Sequence, residues 1–132
     1  MAKRLTIVNL TRGGVVCEHA IVADGPLLRL RGLMGRRELP QGVGMLLRPA
    51  PAIHSAFMRF AIDALFLDAD LLVLRAVDEL RPWRVAAQRG AHAVLELTAG
   101  ERSRRGVEVG DRLAALAAPA ASTAPTGQAV VR

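Results

Sequence analysis

The residues IHSAFMRFAIDALFLD, at positions 53 to 68, place three polar side chains within an otherwise apolar run. His54, Arg59 and Asp63 are residue types that bind small polar ligands or take part in acid–base chemistry. If the whole stretch is one strand, side-chain alternation puts Arg59 and Asp63 on the side opposite His54. Arg59 and Asp63 then lie about 13 Å apart, at about 3.3 Å per residue, so they pair only if the chain bends.

Three interpretations of these residues are open. In the first, Arg59 and Asp63 bind backbone groups or neighbouring loops, and His54 caps a strand end. In the second, all three line a shallow pocket for an anion, a peptide end or a polar group of a partner. In the third, Asp63 orients His54, which activates water or the hydroxyl of Ser55 for hydrolysis. The sequence has no nucleophile elbow, phosphate loop or paired-carboxylate motif, which favours binding over catalysis.

Two further positions complete the predicted site. Trp83 lies in the segment Arg-Pro-Trp-Arg, where a half-exposed indole either covers the edge of the core or anchors a partner. Arg36, next to Gly35, either complements the end of a short helix or joins Arg59 in an anion site. The predicted ligand-binding residues are therefore His54, Arg59, Asp63, Trp83 and Arg36.

The sequence predicts no metal ion and no cofactor. Its three histidines, His19, His54 and His92, are far apart, and Cys17 is its single cysteine, so we expect neither a zinc site nor a disulfide within the chain. Methionines usually fill core gaps, but with His54 three of them could hold a soft ion such as monovalent copper: Met34, Met45 and Met58. Glu96 is alone in the apolar run AVLEL, where we expect it to pair with an arginine across the sheet.

Alternating apolar residues separated by turn signals predict the elements that position this site. An N-terminal hairpin turns at residues 11 to 14, with Cys17 and His19 on one side of its second strand. A second hairpin joins residues 53 to 68 to LLVLRAV through an acidic turn at residues 68 to 70. Further strands are predicted at GVGMLLRP (42 to 49), after Pro82, at AVLEL (93 to 97) and at GVEVGDRL (106 to 113), and short helices after Pro26 and within residues 99 to 106.

These elements indicate an α+β, β-dominated fold. We expect about seven or eight short strands in a barrel-like or sandwich-like arrangement, with one or two short helices. Residues 1–113 are predicted to form one β-rich domain. Residues 114–132 are rich in alanine, proline, serine and threonine and are predicted to form a disordered tail.

Charge and hydropathy limit the function classes. The chain has 18 basic and 12 acidic residues, a net charge of +6, but its basic residues are scattered. One tryptophan, three phenylalanines and no tyrosine are too few for a base-stacking surface, so nucleic-acid binding through scattered arginines is a weak alternative. No export signal and no apolar run of about 20 residues is present, which predicts a soluble, cytoplasmic protein without a membrane contact.

Several segments, in this order, resemble the bacterial and archaeal family of domains of unknown function 192. The matching segments are RGLMGRREL (31 to 39), GVGMLLRP (42 to 49), IHSAFMRFAIDALFLDAD (53 to 70), RPWR (81 to 84), AVLELTAG (93 to 100) and GVEVGD (106 to 111). The resemblance implies a compact β-rich fold of the family's own type and no established activity. Ala61 stands where the family usually has proline, and Ala56 and Phe57 replace a Phe-Gly or aromatic pair, which bears on the backbone path there.

The function predicted from the sequence is that of a small soluble binding or accessory module with a polar site for an anionic ligand or a protein partner. One alternative is a hydrolase that uses His54 and Asp63. A second alternative is weak nucleic-acid binding. The sequence does not decide whether the protein is an enzyme, although the motifs that it lacks favour binding.

Overall fold

The computed structural model describes residues 3–23, 39–49, 52–54 and 60–118, and residues 52–54 by their backbone alone. Within these ranges lie nine strands and one short helix. The strands are β1 (Arg4–Asn9), β2 (Val15–Ala23), β3 (Val43–Leu47), β4 (Ala52–His54), β5 (Ile62–Leu67), β6 (Val73–Leu80), β7 (Val85–Ala87), β8 (Ala93–Thr98) and β9 (Leu113–Ala117); the helix, α1, is Glu101–Arg105. The prediction of a β-dominated fold is confirmed. The helix predicted after Pro26 lies outside the described residues.

Seven of the strands form one sheet, in the order β6-β5-β8-β3-β2-β1-β9, and β4 pairs with β7 in a separate two-stranded ribbon. Neighbours in the large sheet are antiparallel, except that β2 and β3 are parallel. β5 lies between β6 and β8, and each of its six residues is buried. Burial on both faces explains why its sequence, IDALFL, is nearly continuously apolar instead of alternating.

The large sheet has a separate apolar cluster on each face. We call one side the ribbon face, because Ala86 of β7 packs into its cluster, and the other the helix face, because the segment after α1 contributes Val107. Buried members of the ribbon face include Met45, Leu47, Ile62, Ala64, Phe66 and Val94. Buried members of the helix face include Ile7, Cys17, Leu46, Leu65, Leu95, Leu97 and Leu113.

The predicted N-terminal hairpin is confirmed, since β1 and β2 are antiparallel neighbours. The register shifts between Leu5 and Ile7 of β1, so that β2 contains one extra residue at this point. Cys17 and Ala20 therefore both face the helix face, whereas His19 pairs with Val43 and lies on the ribbon-face side. The expectation that His19 and Cys17 share a face was wrong, because a bulge breaks the two-residue alternation on which it rested.

The second predicted hairpin is confirmed for β5 and β6. Its turn is held by Asp68, whose Oδ1 accepts hydrogen bonds from the backbone N–H groups of Asp70 and Leu72, at 2.8 and 2.9 Å. However, residues 53 to 68 do not form one strand. β4 pairs with β7 in the ribbon, while β5 pairs with β6 and β8 in the large sheet. The alternation inferred across the whole stretch therefore does not apply to it.

At the C-terminal end, the last strand was predicted to end at Leu113, and in the structure the last strand begins at this residue. Leu113 is the first residue of β9, which continues to Ala117 and pairs with β1 along its whole length. The predicted boundary at residue 113 therefore falls too early, because short alanine side chains fit an edge strand as well as a tail. Residues 119–132 of the predicted tail lie outside the described residues.

Candidate functional site

Asp63, the central residue of the predicted site, is buried at the start of β5 with 1% of its surface exposed. Its Oδ1 accepts a hydrogen bond from the N–H of Glu79, and its Oδ2 accepts hydrogen bonds from the N–H groups of Gly100 and Arg102, all at 2.9 Å. The first amide lies near the end of β6 and the other two lie at the start of α1. Asp63 therefore joins β5 to two segments that are distant in the sequence.

Each of these amides needs an acceptor for a local reason. The first amides of a helix have no partner within the helix, and the N-cap of α1 is Gly100, which has no side chain to supply one. Glu79 has a φ of 53°, and the register between β5 and β6 shifts beside it. The Asp63 carboxylate serves all three amides, which is the role that the first interpretation gave to it. The same bonds leave it poorly placed to orient a catalytic histidine.

The ribbon brings a second pair of predicted positions into one part of the molecule. His54 of β4 pairs directly with Val85 of β7, and Trp83 comes two residues before Val85. The ribbon is tied to the large sheet by Arg75 of β6, which donates a hydrogen bond of 2.7 Å to the carbonyl of Ala87. The structure thus places the His54 backbone at the end of the ribbon where Trp83 enters it.

Trp83 itself is an unusual residue. Its side chain is 63% exposed, and its backbone has a φ of 64°, a left-handed conformation that a bulky residue rarely adopts. Arg81 and Arg84 on either side of it are exposed, and Val85 is 75% exposed. A guanidinium group can hold a carboxylate or phosphate group, and an exposed indole can stack against a planar one.

The other two predicted site residues, Arg36 and Arg59, lie outside the described residues, as do the side chain of His54 and two of the three methionines considered for copper. The third, Met45, packs in the ribbon-face cluster. In the described ranges, no three His, Cys, Asp or Glu side chains are grouped so that they could hold a metal ion. Cys17 is buried, and burial raises the pKa of its thiol to about 11, so it is a poor nucleophile.

Several arginines form ion pairs on the surface. Arg102 donates to Asp78 through Nε, at 2.6 Å, and through Nη2, at 2.9 Å. Arg105 donates hydrogen bonds to both Glu18 and Glu101. Its hydrogen bond to Glu18 lowers the pKa of the Glu18 carboxyl. Two more pairs follow the same pattern: Arg104 with Glu101, and Arg12 with Asp111. Each of these four arginines therefore already has an acidic partner.

Glu96 was predicted to pair with an arginine, and among the described residues it forms no ion pair. It lies in β8, in the middle of the sheet, with Met45 of β3 on one side and Ala64 of β5 on the other. Only 3% of its surface is exposed, and burial raises the pKa of its carboxyl to about 8. The sequence signal for an unusual acid was present, since Glu96 lies in a run that is apolar on both faces. Its described neighbours across the sheet are apolar.

Comparison with known proteins identifies relatives along most of the chain. The model of the family of domains of unknown function 192, described as uncharacterized ACR, matches residues 8–115. A UPF0127 protein of Pyrococcus furiosus is 34% identical over 113 residues, which cover 81% of this chain and 95% of the relative. A UPF0127 protein of Thermococcus sibiricus is 30% identical over 112 residues, covering 81% of this chain and 72% of the relative.

Two crystal structures share the fold. A candidate transcription regulator from Sinorhizobium meliloti 1021 superposes with a TM-score of 0.75 at 27% identity, covering 87% of this chain and 94% of that one. A protein of unknown function from Novosphingobium aromaticivorans superposes with a TM-score of 0.74 at 22% identity, covering 86% of this chain and 84% of that one. Within the described ranges, no helix has the length and the apolar character needed to cross a membrane.

Proposed function

Because this chain belongs to the family of domains of unknown function 192, whose curated relatives are uncharacterised, its function has to be inferred from its own surface, and we propose that it is a small binding module for an anionic group. The proposed contact surface consists of Arg81, Trp83, Arg84 and Val85, with His54 on the adjoining strand. Its ligand is a carboxylate or phosphate group, presented by a small molecule or by a partner. The proposal places the module in the cytoplasm, in keeping with its single, buried cysteine.

The observation behind this proposal is the conformation of Trp83. A left-handed backbone costs an ordinary residue about 1 to 2 kcal/mol, and Trp83 has this conformation with its indole 63% exposed. A residue that only covered the core would have little reason to combine strain with exposure. Strained residues are frequent at binding sites, where the surrounding structure fixes them in advance.

The residues around Trp83 support such a fixed arrangement. Asp63 accepts a hydrogen bond from Glu79, four residues before Trp83, and Arg75 donates one to Ala87, four residues after it. The chain between these two contacts is therefore held at both ends. Asp63 is a positioning residue in this proposal and does not contact the ligand, which differs from the role first considered for it.

The single tryptophan makes this proposal easy to test. The chain has one tryptophan and no tyrosine, so its intrinsic fluorescence comes from Trp83. Titration with inorganic phosphate, citrate and a short polyglutamate peptide should change this fluorescence saturably for at least one of the three. Arg84→Ala and Arg81→Ala should each weaken binding about tenfold, in line with loss of one charge-assisted hydrogen bond of about 1.5 kcal/mol. Arg89→Ala, which removes an exposed arginine outside the proposed surface, should have no effect. Unchanged fluorescence with all three anions and with DNA would contradict the proposal.

Duplex DNA is a second candidate for the anionic partner. The relative of 27% identity from Sinorhizobium meliloti is named a candidate transcription regulator, and the net charge of this chain is +6. The ion pairs of Arg12, Arg102, Arg104 and Arg105 weigh against an extended basic surface. DNA binding predicts retardation of a duplex at low ionic strength and an affinity that falls steeply with salt. A small-anion site predicts no retardation at all.

Hydrolysis by His54 and Asp63 is the less supported alternative. The three amides that bind Asp63 already use both of its carboxylate oxygens. Turnover of generic ester, phosphate or glycoside substrates that is abolished by His54→Ala, without a change in melting temperature, would restore it.

A further inference from the structure

The two edges of the large sheet are built differently. β6 forms one edge and β9 forms the other. The register between β5 and β6 shifts at two points, and β6 carries charged side chains at Arg75, Asp78 and Glu79. β9 has the sequence LAALA, without a charge or a proline, and its register with β1 has no shift. Bulges and charges hinder the pairing of an edge strand with another chain, so β6 is protected against such pairing and β9 is not.

The backbone of β9 has hydrogen-bonding groups on its outer side. The carbonyl of Arg112, just before β9, accepts a hydrogen bond of 2.8 Å from the residue that follows β1. Backbone groups alternate in direction along an antiparallel strand, so those of Leu113, Ala115 and Ala117 point away from β1. Leu113 donates its N–H to the carbonyl of Leu71. Among the described residues, no other strand pairs with Ala115 or Ala117 on this side.

Leu116 adds an exposed apolar side chain to this edge. Ala115 packs against the helix-face cluster, so Leu116 points to the opposite face of the sheet, where it is 53% exposed. The described members of the ribbon-face cluster include no residue of β1 or β9. A large apolar side chain therefore lies in solvent beside unused backbone donors and acceptors.

We propose that two copies of this chain pair antiparallel through β9, with the two-fold axis at Leu116. In this register, Ala115 exchanges both backbone hydrogen bonds with Ala117 of the partner subunit, and Ala117 does the same with Ala115 of the partner subunit. Leu116 then lies opposite Leu116 of the partner subunit. This is a position without hydrogen bonds, where the two Cα atoms are about 4.5 Å apart. The two large sheets become one continuous sheet.

A second copy of the chain fits this edge because the edge is self-complementary. In a two-fold contact the same surface is used by both copies, and this register places every outward donor opposite an outward acceptor and leucine against leucine. β9 has no charged side chain, so the net charge of +6 on each copy is not concentrated at the axis. A stable dimer buries about 800 Å² on each copy, and two short strands supply only part of this area. We therefore expect a weak dimer that forms at high protein concentration.

Sedimentation of the full chain over a concentration series tests this pairing. Between about 10 μM and about 1 mM, the average mass should rise from the 14.1 kDa of one chain toward twice that value. Leu116→Lys places two ammonium groups opposite each other and should weaken association at least about tenfold. Leu10→Lys is the matched control, since it makes the same change at a leucine that is 62% exposed outside β9, and it should associate like the parent protein. Unchanged melting temperatures show that both variants fold.

Two further variants test the register itself. Ala117→Pro removes an N–H that points away from β1, which an edge strand tolerates, and it should weaken association without affecting the monomer. Leu116→Cys, in a chain that also carries Cys17→Ala, should form a disulfide between two copies when oxidised glutathione is added, because the Cα separation at this position suits a disulfide. Leu10→Cys in the same background should not.

Three results would overturn this inference. The first is a mass of 14.1 kDa at every concentration, which is expected if another segment of the same chain covers the β9 edge. The second is a dimer that Leu116→Lys weakens no more than Leu10→Lys does. The third is cross-linking of Leu10→Cys as fast as that of Leu116→Cys. Arg84→Ala should leave association unchanged, so the outcome here is independent of the anion site proposed above.

Discussion

Asp63 and Glu96 are two buried carboxyl groups on adjacent strands, yet the groups that surround them differ. Asp63 lies on the helix face and accepts three backbone hydrogen bonds, while Glu96 lies on the ribbon face among apolar side chains. Their exposures, 1% and 3%, are nearly the same. The donors around each carboxyl, and not its burial, therefore determine whether it stabilises the fold.

The two acids also differ in what their removal does to their surroundings. Without Asp63, three amides that are fixed by the path of the backbone lose their acceptor. Without Glu96, the ribbon-face cluster loses a buried carboxyl group. A protein that keeps a destabilising acid in the middle of a sheet usually has a functional reason for it, whereas a well-bonded acid needs no function beyond the fold.

The largest expected effect is that of Asp63→Ala. It leaves the N–H groups of Glu79, Gly100 and Arg102 without an acceptor, and at about 1 to 3 kcal/mol for each unsatisfied group the free energy of unfolding should fall by about 5 kcal/mol. Urea denaturation measures this change, and hydrogen exchange should show loss of protection at Gly100 and Arg102. Asp68→Ala is the matched control, because the amides that Asp68 binds lie nearer to solvent and its loss should cost about 1 kcal/mol. Equal effects of the two variants would mean that Asp63, with its three amide hydrogen bonds, stabilises the fold no more than Asp68 does.

Glu96→Gln should have the opposite sign. The pKa of Glu96 is raised from 4.5 to about 8 in the folded chain, so the native state prefers the protonated acid and stability falls as pH rises from about 4.5 to 8. At about 1.4 kcal/mol per pH unit, the parent protein loses roughly 4 kcal/mol over this range. The variant cannot ionise and should be the more stable of the two at pH 8, with a smaller difference at pH 5. Unfolding measured at pH 5, 6.5 and 8 tests this.

Glu108→Gln provides the control for that series, since it removes the charge of an exposed glutamate. Its stability should follow the parent protein at all three pH values. A Glu96→Gln curve that also runs parallel to the parent would show that the folded state does not favour the protonated acid.

The same comparison shows what the sequence could reveal. Hairpin turns and strands were predictable, because Gly-Gly and the acidic turn at Asp68 lie between runs of clear alternation. Which backbone groups Asp63 binds was not predictable, because its three partners come from residues 16 to 39 positions away in the chain. Local pattern contains no information on which distant amides a carboxylate will meet.

Faces were harder to predict than strands for a related reason. The bulge in β2 reverses the side on which His19 lies, and the change of sheet between β4 and β5 removes the alternation assumed for residues 53 to 68. A single inserted residue or a change of sheet shifts all later side chains, while leaving the composition of each strand unaltered. Of the predicted site residues, Asp63 and Trp83 have side chains in the described part of the structure.

The smallest expected effect concerns packing on the helix face, in the strand next to Glu96. A Cβ added at Gly44 would lie 2.8 Å from the backbone oxygen of Glu96, 3.0 Å from Sγ of Cys17 and 3.1 Å from Cδ2 of Leu97. Overpacking of this kind costs about 1 to 3 kcal/mol, so Gly44→Ala should lower the free energy of unfolding by about 2 kcal/mol. Chemical denaturation of the single variants and of the double variant Cys17→Ala/Gly44→Ala separates the two causes. Removing Sγ relieves one contact but leaves the backbone oxygen in place, so the double variant should recover part of the loss that Gly44→Ala causes. Full recovery would mean that the β3–β8 pairing can shift to make room, and the helix face would then be no more rigid than the ribbon face beside Glu96.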